Sequence, residues 1–201
     1  MMSPRGVWHG VMAVAVAAWC STASATQEPD VFSGQWRRNE RMSQSALGAI
    51  EIVLGEVGPK GKGGRAHTVF SSSGVLEQDD VVGLRDALVD YARGLHSLTV
   101  VETEAEIQFQ NGHKQVSLFY LDGAKHLREL RDGVRLEVTA RREGLSLSVE
   151  QKSDAGDVIQ EHYSLLNDGE QMAFVFRLES NLVEEPVFFR IVYDRVPPND
   201  E

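Results

Sequence analysis

The chain has a single cysteine, Cys20, among its 201 residues. One thiol forms no internal disulfide and no multi-thiolate metal centre, so burial alone must hold the fold together. Proline is scarce, and none falls between Pro59 and Pro186, which leaves that stretch free to form uninterrupted strands. Positive charge is short as well. Twenty Lys and Arg face thirty Asp and Glu, a formal net charge of -10, which argues against nucleic acid or an anionic membrane surface as partner. Long hydrophobic runs are missing, and the longest, residues 11–19, is too short to span a bilayer.

That one run has the pattern of a secretory leader. Arg5 supplies a positive start, Val11 to Trp19 an apolar centre, and Ala23-Ser24-Ala25 a small-x-small cleavage site. The expectation is removal of residues 1–25, a mature chain beginning at Thr26, and residence in the periplasm or outside the cell. A lipid-attachment reading of Cys20 fails on its bulky neighbour Trp19. Cleavage would also remove Trp8 and Trp19, leaving Trp36 as the sole tryptophan. A single domain over residues 26–196 follows, large enough to bury about two-thirds of its unfolded surface, with residues 197–201 as a disordered tail.

What is abundant is turn chemistry at an even beat. Asn111-Gly112, Asp122-Gly123, Asp132-Gly133, Glu143-Gly144, Asp154 to Gly156, Asp168-Gly169 and Asn181 separate short segments of alternating apolar and polar residues. Such spacing predicts an antiparallel meander of hairpins. The apolar sets are Leu98 and Val100; Ile107 and Phe109; Val116, Leu118 and Tyr120; Leu136 and Val138; Leu145, Leu147 and Val149. They continue with Tyr163 and Leu165; Met172, Phe174, Phe176 and Leu178; Val187, Phe189, Ile191 and Tyr193. One sheet face is apolar and the other wet. Native twist then predicts a barrel or a strongly bent sheet.

Ahead of the meander, residues 30–36 read as a first strand. Residues 41–57 carry Met42, Ala46, Ile50, Val53, Leu54 and Val57 at helical spacing, although Ile50 and Ile52 to Leu54 also suit a strand. Residues 58–74, rich in glycine and like charges, read as a flexible loop. Asp79-Asp80 then opens an amphipathic helix with Val81, Leu84, Leu88, Tyr91 and Leu95 on one face. Phe188 and Val192 lie on the wet face of the last strand, and this second helix is the candidate to cover them.

With Phe32-Ser33-Gly34-Gln35-Trp36-Arg37-Arg38-Asn39 at one end and Arg190-Ile191-Val192-Tyr193-Asp194-Arg195 at the other, the chain resembles a group of exported bacterial proteins. These share an F/S-G-x-W-x-x-N opening, a glycine-rich insertion, a helix and a meander ending in R-x-V-Y-D-R. The resemblance implies this fold and no defined activity. Gly34-x-Trp36 also resembles the first-strand motif of lipocalins, calycin-type barrels that carry apolar ligands, although the helices before the meander depart from the lipocalin order. That resemblance implies Trp36 at the closed end of a barrel beneath Arg195 or Arg190, as a structural residue.

Catalytic chemistry is sparse. His67, His96, His113, His126 and His162 form no H-x-x-x-H or H-x-H pair, although His113 and His162 remain open to meeting other ligands in space. Asp154, Asp157 and Glu161 lack the order of a calcium loop and read as solvated turn carboxylates. Gly61-Lys62 is followed by Gly63, which rules out a phosphate loop. Ser71 to Ser73 sit in no nucleophile elbow and read as spacer. Glu102 and Glu104 share a strand face and, like Glu184 and Glu185, suit acid–base work in principle, but they read as solvent-face residues beside a hairpin. No catalytic, metal-binding or cofactor-binding residue is assigned, and a ligand-binding set is left open. The expectation is a mainly β, two-helix, non-catalytic exported protein. Its partner is a small apolar ligand held in the barrel or, alternatively, an envelope protein bound through the meander edge or the 41–57 helix.

Overall fold

Period-two alternation becomes ten consecutive antiparallel strands. The computed structural model describes residues 31–55, 81–129, 135–154 and 156–197. Strand β1 (Gly34–Arg38) precedes helices α1 (Ala46–Leu54) and α2 (Val81–Gly94). Then come β2 (Ser97–Glu102), β3 (Glu106–Asn111), β4 (Val116–Tyr120), β5 (Asp122–Glu129) and β6 (Arg135–Glu143). β7 (Ser146–Ser153), β8 (Val158–Leu166), β9 (Gln171–Glu179) and β10 (Val187–Val196) complete the sheet. Its order is β4-β3-β2-β1-β10-β9-β8-β7-β6-β5. β1 therefore joins the two ends of the meander by pairing with both β2 and β10. The expected mainly β, two-helix curled meander is the fold observed. The leader, the 58–74 loop, Asp79-Asp80 and Asp132-Gly133 lie outside the described residues.

The ribbon curls until its edges, β4 and β5, approach without pairing. Arg128 on β5 reaches across, its Nη2 donating to the Leu118 carbonyl of β4 at 2.8 Å. The inner face is apolar along β9 and β10. Met172, Phe174, Phe176 and Leu178 on β9, and Val187, Phe189, Ile191 and Tyr193 on β10, are fully buried. Each such side chain contributes about 1.5–3 kcal/mol by leaving water.

Trp36 is 1% exposed and donates through its indole nitrogen to the Phe32 carbonyl at 2.9 Å. The Arg195 guanidinium lies 4.2 Å above its ring and donates to the carbonyls of Gly169, Ser33 and Val31, each at 2.7 Å. Gly34 has φ +135°, and a Cβ there would stand 3.0 Å from Arg195 Nη1. The glycine of the G-x-W motif thus serves both the backbone and the arginine that crosses it.

Several local expectations are corrected. The first strand starts at Gly34 rather than at residue 30. α1 starts at Ala46 because Ser45 caps it, its hydroxyl accepting from Gly48 N. Residues 41 and 42 instead close a turn on the Asn39 side chain. β4 is shifted by one residue: Ser117 and Phe119 face inward opposite Phe109 and Ile107, while Tyr120 is 45% exposed. The cause is a three-residue β3–β4 loop closed by Asn111 N donating to Gln115 O, with Lys114 at φ 64°, where a two-residue turn would have kept the phase. Leu145 belongs to the tight Gly144–Leu145 turn and is solvent-exposed. Asp122-Gly123 makes no hairpin turn but lies at the start of β5, where the register to β6 is irregular.

The second helix lies on the opposite side of the sheet from the one expected. The Tyr91 ring lies 5.5 Å from that of Phe176 on the inner face, and Leu84 and Leu88 are buried beside it in the core. On the outer face Val192 is buried and Phe188 is half-exposed. Residues 39–44 run along β10 there, with Ser43 and Gln44 bonding the backbone of Val192 and Arg190. An apolar helix face goes where the larger apolar surface is, and that surface is the barrel interior.

Candidate functional site: a barrel interior with one acidic pole

Opposite walls of the barrel touch. Phe109 on β3 and Tyr163 on β8 stack with ring centroids 4.4 Å apart. Tyr163 stacks in turn on Phe174 at 4.8 Å, as Phe176 does on Phe189 at 4.8 Å. Along this line the lumen is filled by aromatic rings, one of the two outcomes open to a small barrel.

Beside that stack lies a buried carboxyl. β8 turns Ile159, Glu161, Tyr163 and Leu165 inward, and Glu161 is 6% exposed. Its Oε1 accepts from the Tyr91 hydroxyl at 2.8 Å and its Oε2 from the Tyr163 hydroxyl at 3.3 Å. Burial pushes the Glu161 carboxyl above the usual glutamate range, while the two tyrosine bonds pull it back. Burial, and then the charge of Glu161, pushes both tyrosine hydroxyls well above their ordinary value, so each stays protonated and donates. Tyr193 is held high by its burial too, and its hydroxyl donates to the Leu95 carbonyl at 3.0 Å.

A cavity of about 30 Å³ adjoins these groups, with Asn111, Gln115 and Ser117 as its other polar walls. It has room for one water-sized group. Asn111 and Gln115 are turned toward each other and toward α2: Asn111 Nδ2 donates to Gln115 Oε1 at 2.8 Å, and Gln115 Nε2 to Asp90 Oδ2 at 3.2 Å. Each amide commits one of its two N–H donors in this way, and no cation lines the cavity among the described residues.

A second buried acid spans the barrel elsewhere. Glu102 on β2 forms an ion pair with Arg142 on β6 at 2.8 Å, and its other oxygen accepts from Phe32 N at 2.9 Å. This corrects the solvent-face reading of Glu102. Glu104 lies in the turn after β2 and is exposed, as are Glu184 and Glu185. Asp157 and Glu161, read as solvated turn carboxylates, are both buried. The phase of β8 carried the signal for Glu161, which stands two residues from both Ile159 and Tyr163.

The edges β4 and β5 leave an unpaired seam. Between β4 and the β5–β6 hairpin lies a cleft of about 290 Å³, walled by Leu118, Phe119, Val138 and Ala140 and rimmed by His126 and Arg128. Phe119, Val138 and Ala140 are core residues, so the cleft descends from the surface to the barrel wall. A larger trough, about 510 Å³, lies over the outer face around Phe188 and Val175. Its polar groups satisfy one another: His162 bonds Ser148 and Ser164, Gln160 bonds Glu150, and Arg177 bonds Glu179.

Of the sequence-identified histidines, His96 and His113 approach to 6.3 Å between rings, and His113 faces Asp90 at 3.5 Å. His126 bonds Asp122, and His162 lies between its two serines. Among the described residues no group of three or more His, Cys, Asp or Glu is placed to hold a metal. No described helix is long and apolar enough to cross a membrane.

No protein-family model and no curated protein matches the chain. Among solved structures it is similar to a fatty acid transporter, REP1-NXSQ, at 12% identity, covering 83% of this chain and 97% of that one, with a TM-score of 0.46. The apo lipid binding protein 8 of Caenorhabditis elegans is 12% identical over 83% and 96% of the two chains, TM-score 0.49. The Schistosoma mansoni fatty acid binding protein in complex with arachidonic acid is 13% identical over 85% and 99%, TM-score 0.48. At these values the likeness is one of overall shape, and the fold stands on its own strand order.

Proposed function

We propose that this protein is a non-catalytic binding module that admits a small apolar molecule through the β4–β5 seam. The seam cleft carries this reading. It is an apolar recess between the two edge strands of the described sheet, which do not pair, so admission there breaks no ladder hydrogen bonds. Its volume sits at the lower end of the range for small-molecule pockets. In the same reading residues 1–25 act as an export leader and the mature protein starts at Thr26. Titration of the full chain with naphthalene-class probes, followed by tryptophan and tyrosine fluorescence and by native mass spectrometry, tests the binding. Saturable one-to-one binding that weakens when Ala140→Phe fills the cleft is expected. Binding unchanged by that substitution would remove the seam from the mechanism. Amino-terminal sequencing of the protein recovered from its own host tests the leader.

One observation favours the rival reading of an envelope-protein partner docking on the first helix. α1 buries Ala46 and Ile50 yet leaves Ile52 84% and Leu47 38% exposed. If the helix surface around Ile52 is the working surface, Ile52→Glu abolishes capture of a partner while leaving probe binding intact.

A further inference from the structure

The Glu161 carboxyl is a costly group to hold in the barrel interior. A carboxyl 6% exposed, on the inner face and beside a water-sized cavity, costs stability that an apolar residue there would not. The two tyrosines occupy one acceptor site on each of its oxygens, and a carboxylate has about four such sites. Glu161 lines the cavity, where Asn111 and Gln115 each direct one amide N–H to another partner. The Arg142 guanidinium on the inner face is committed to Glu102.

We propose that the Glu161 cavity receives the hydrogen-bond-donating head, a hydroxyl or an ammonium, of the small apolar ligand and turns carboxylates away. The claim rests on the binding reading above and specifies its ligand class. A hydroxyl or ammonium brings donors to the spare acceptor sites of Glu161. A carboxylate brings a second acid to the first, and no cation lines the cavity among the described residues. The competing cation is Arg85 on α2, which is 5% exposed with Nε and Nη2 unpartnered. It lines neither this cavity nor the seam cleft, so an anion drawn to it would bind elsewhere.

The test is a comparison of 1-octanol, octylamine and octanoate on the full chain at pH 7.5, by calorimetry and native mass spectrometry. The alcohol and the amine are expected to bind at least about tenfold tighter than octanoate, the scale of one charge-assisted hydrogen bond gained or denied. Glu161→Gln removes the charge and keeps one carbonyl oxygen to accept from a tyrosine, while the other tyrosine oxygen accepts from the new amide, so the amine-to-octanoate ratio should fall about tenfold while octanol changes little. Octanoate binding as tightly as octanol overturns the inference and leaves the binding reading standing. If that octanoate affinity is lost in Arg85→Gln, the head group belongs at Arg85. Binding of none of the three overturns the binding reading and this inference with it. An unchanged ratio in Glu161→Gln removes Glu161 from recognition. The wild-type comparison decides the ligand class even if the variant fails to fold.

Discussion

Phe109 and Tyr163 belong to strands β3 and β8, on opposite walls of the barrel, and their rings stack at 4.4 Å. A curled sheet whose walls meet in this way has a core of its own and does not require a ligand to fill it. Ligand capacity then comes from clefts and small cavities at the edge of that core, the seam and the Glu161 pole.

Truncating that contact separates the two roles. Phe109→Ala is expected to cost about 3–5 kcal/mol, the usual range for a buried phenylalanine, read as a shift in the urea midpoint. It also joins new space to the Glu161 cavity, so naphthalene-probe affinity should rise. A variant that loses stability and gains no probe binding would show that the space collapses.

Glu161 makes a pH prediction of definite sign. Its folded carboxyl is raised from the ordinary value of 4.5, so the folded state keeps a proton that the unfolded chain has released above that pH. The unfolded state binds fewer protons there, and stability falls as pH rises through the interval. Below the ordinary value both states are protonated and the contribution is fully present. The difference in stability between the wild type and Glu161→Gln should therefore move against the wild type on raising the pH above 4.5. A difference that is flat, or that moves the other way, contradicts the buried, proton-retaining carboxyl.

Beside β1, Arg195 ties three carbonyls and covers Trp36. Arg195→Lys keeps the charge but cannot serve three acceptors from one ammonium position. A loss of about 2–4 kcal/mol is expected from two or three hydrogen bonds and a weakened ring contact, with a shift in the Trp36 emission maximum. Gly34→Ala should be destabilising as well, because its backbone is left-handed and Arg195 stands in the way.

Arg128→Ala removes the guanidinium bond across the seam. Global stability should change by only about 0.5–1.5 kcal/mol. Hydrogen exchange at residues 117–120 and the rate of probe entry should both increase. An entry rate that is unaltered would locate the portal elsewhere.

Much of the fold was legible because alternation is a local property. β7 to β10 show it in Leu147 and Val149, Tyr163 and Leu165, Phe174 and Phe176, and Phe189 and Ile191, all buried as their phase requires. β4 was misread because one extra loop residue before it reverses the phase, and loop length depends on backbone dihedrals that the pattern of apolar residues does not encode. The candidate site was less legible. Glu161 stands in phase with its inward neighbours, but a carboxylate in a strand is on average a solvent-facing residue.

The amino-acid sequence by itself determined the antiparallel meander, its apolar face and the Trp36 anchor, because strand period, turn residues and glycine placement act over a few residues. Only the tertiary structure decided that α2 lies on the inner face, that Glu102 meets Arg142 across the barrel, and that β4 and β5 stop short of pairing. Those features join residues tens of positions apart, and the closure of the ribbon is what brings them within reach.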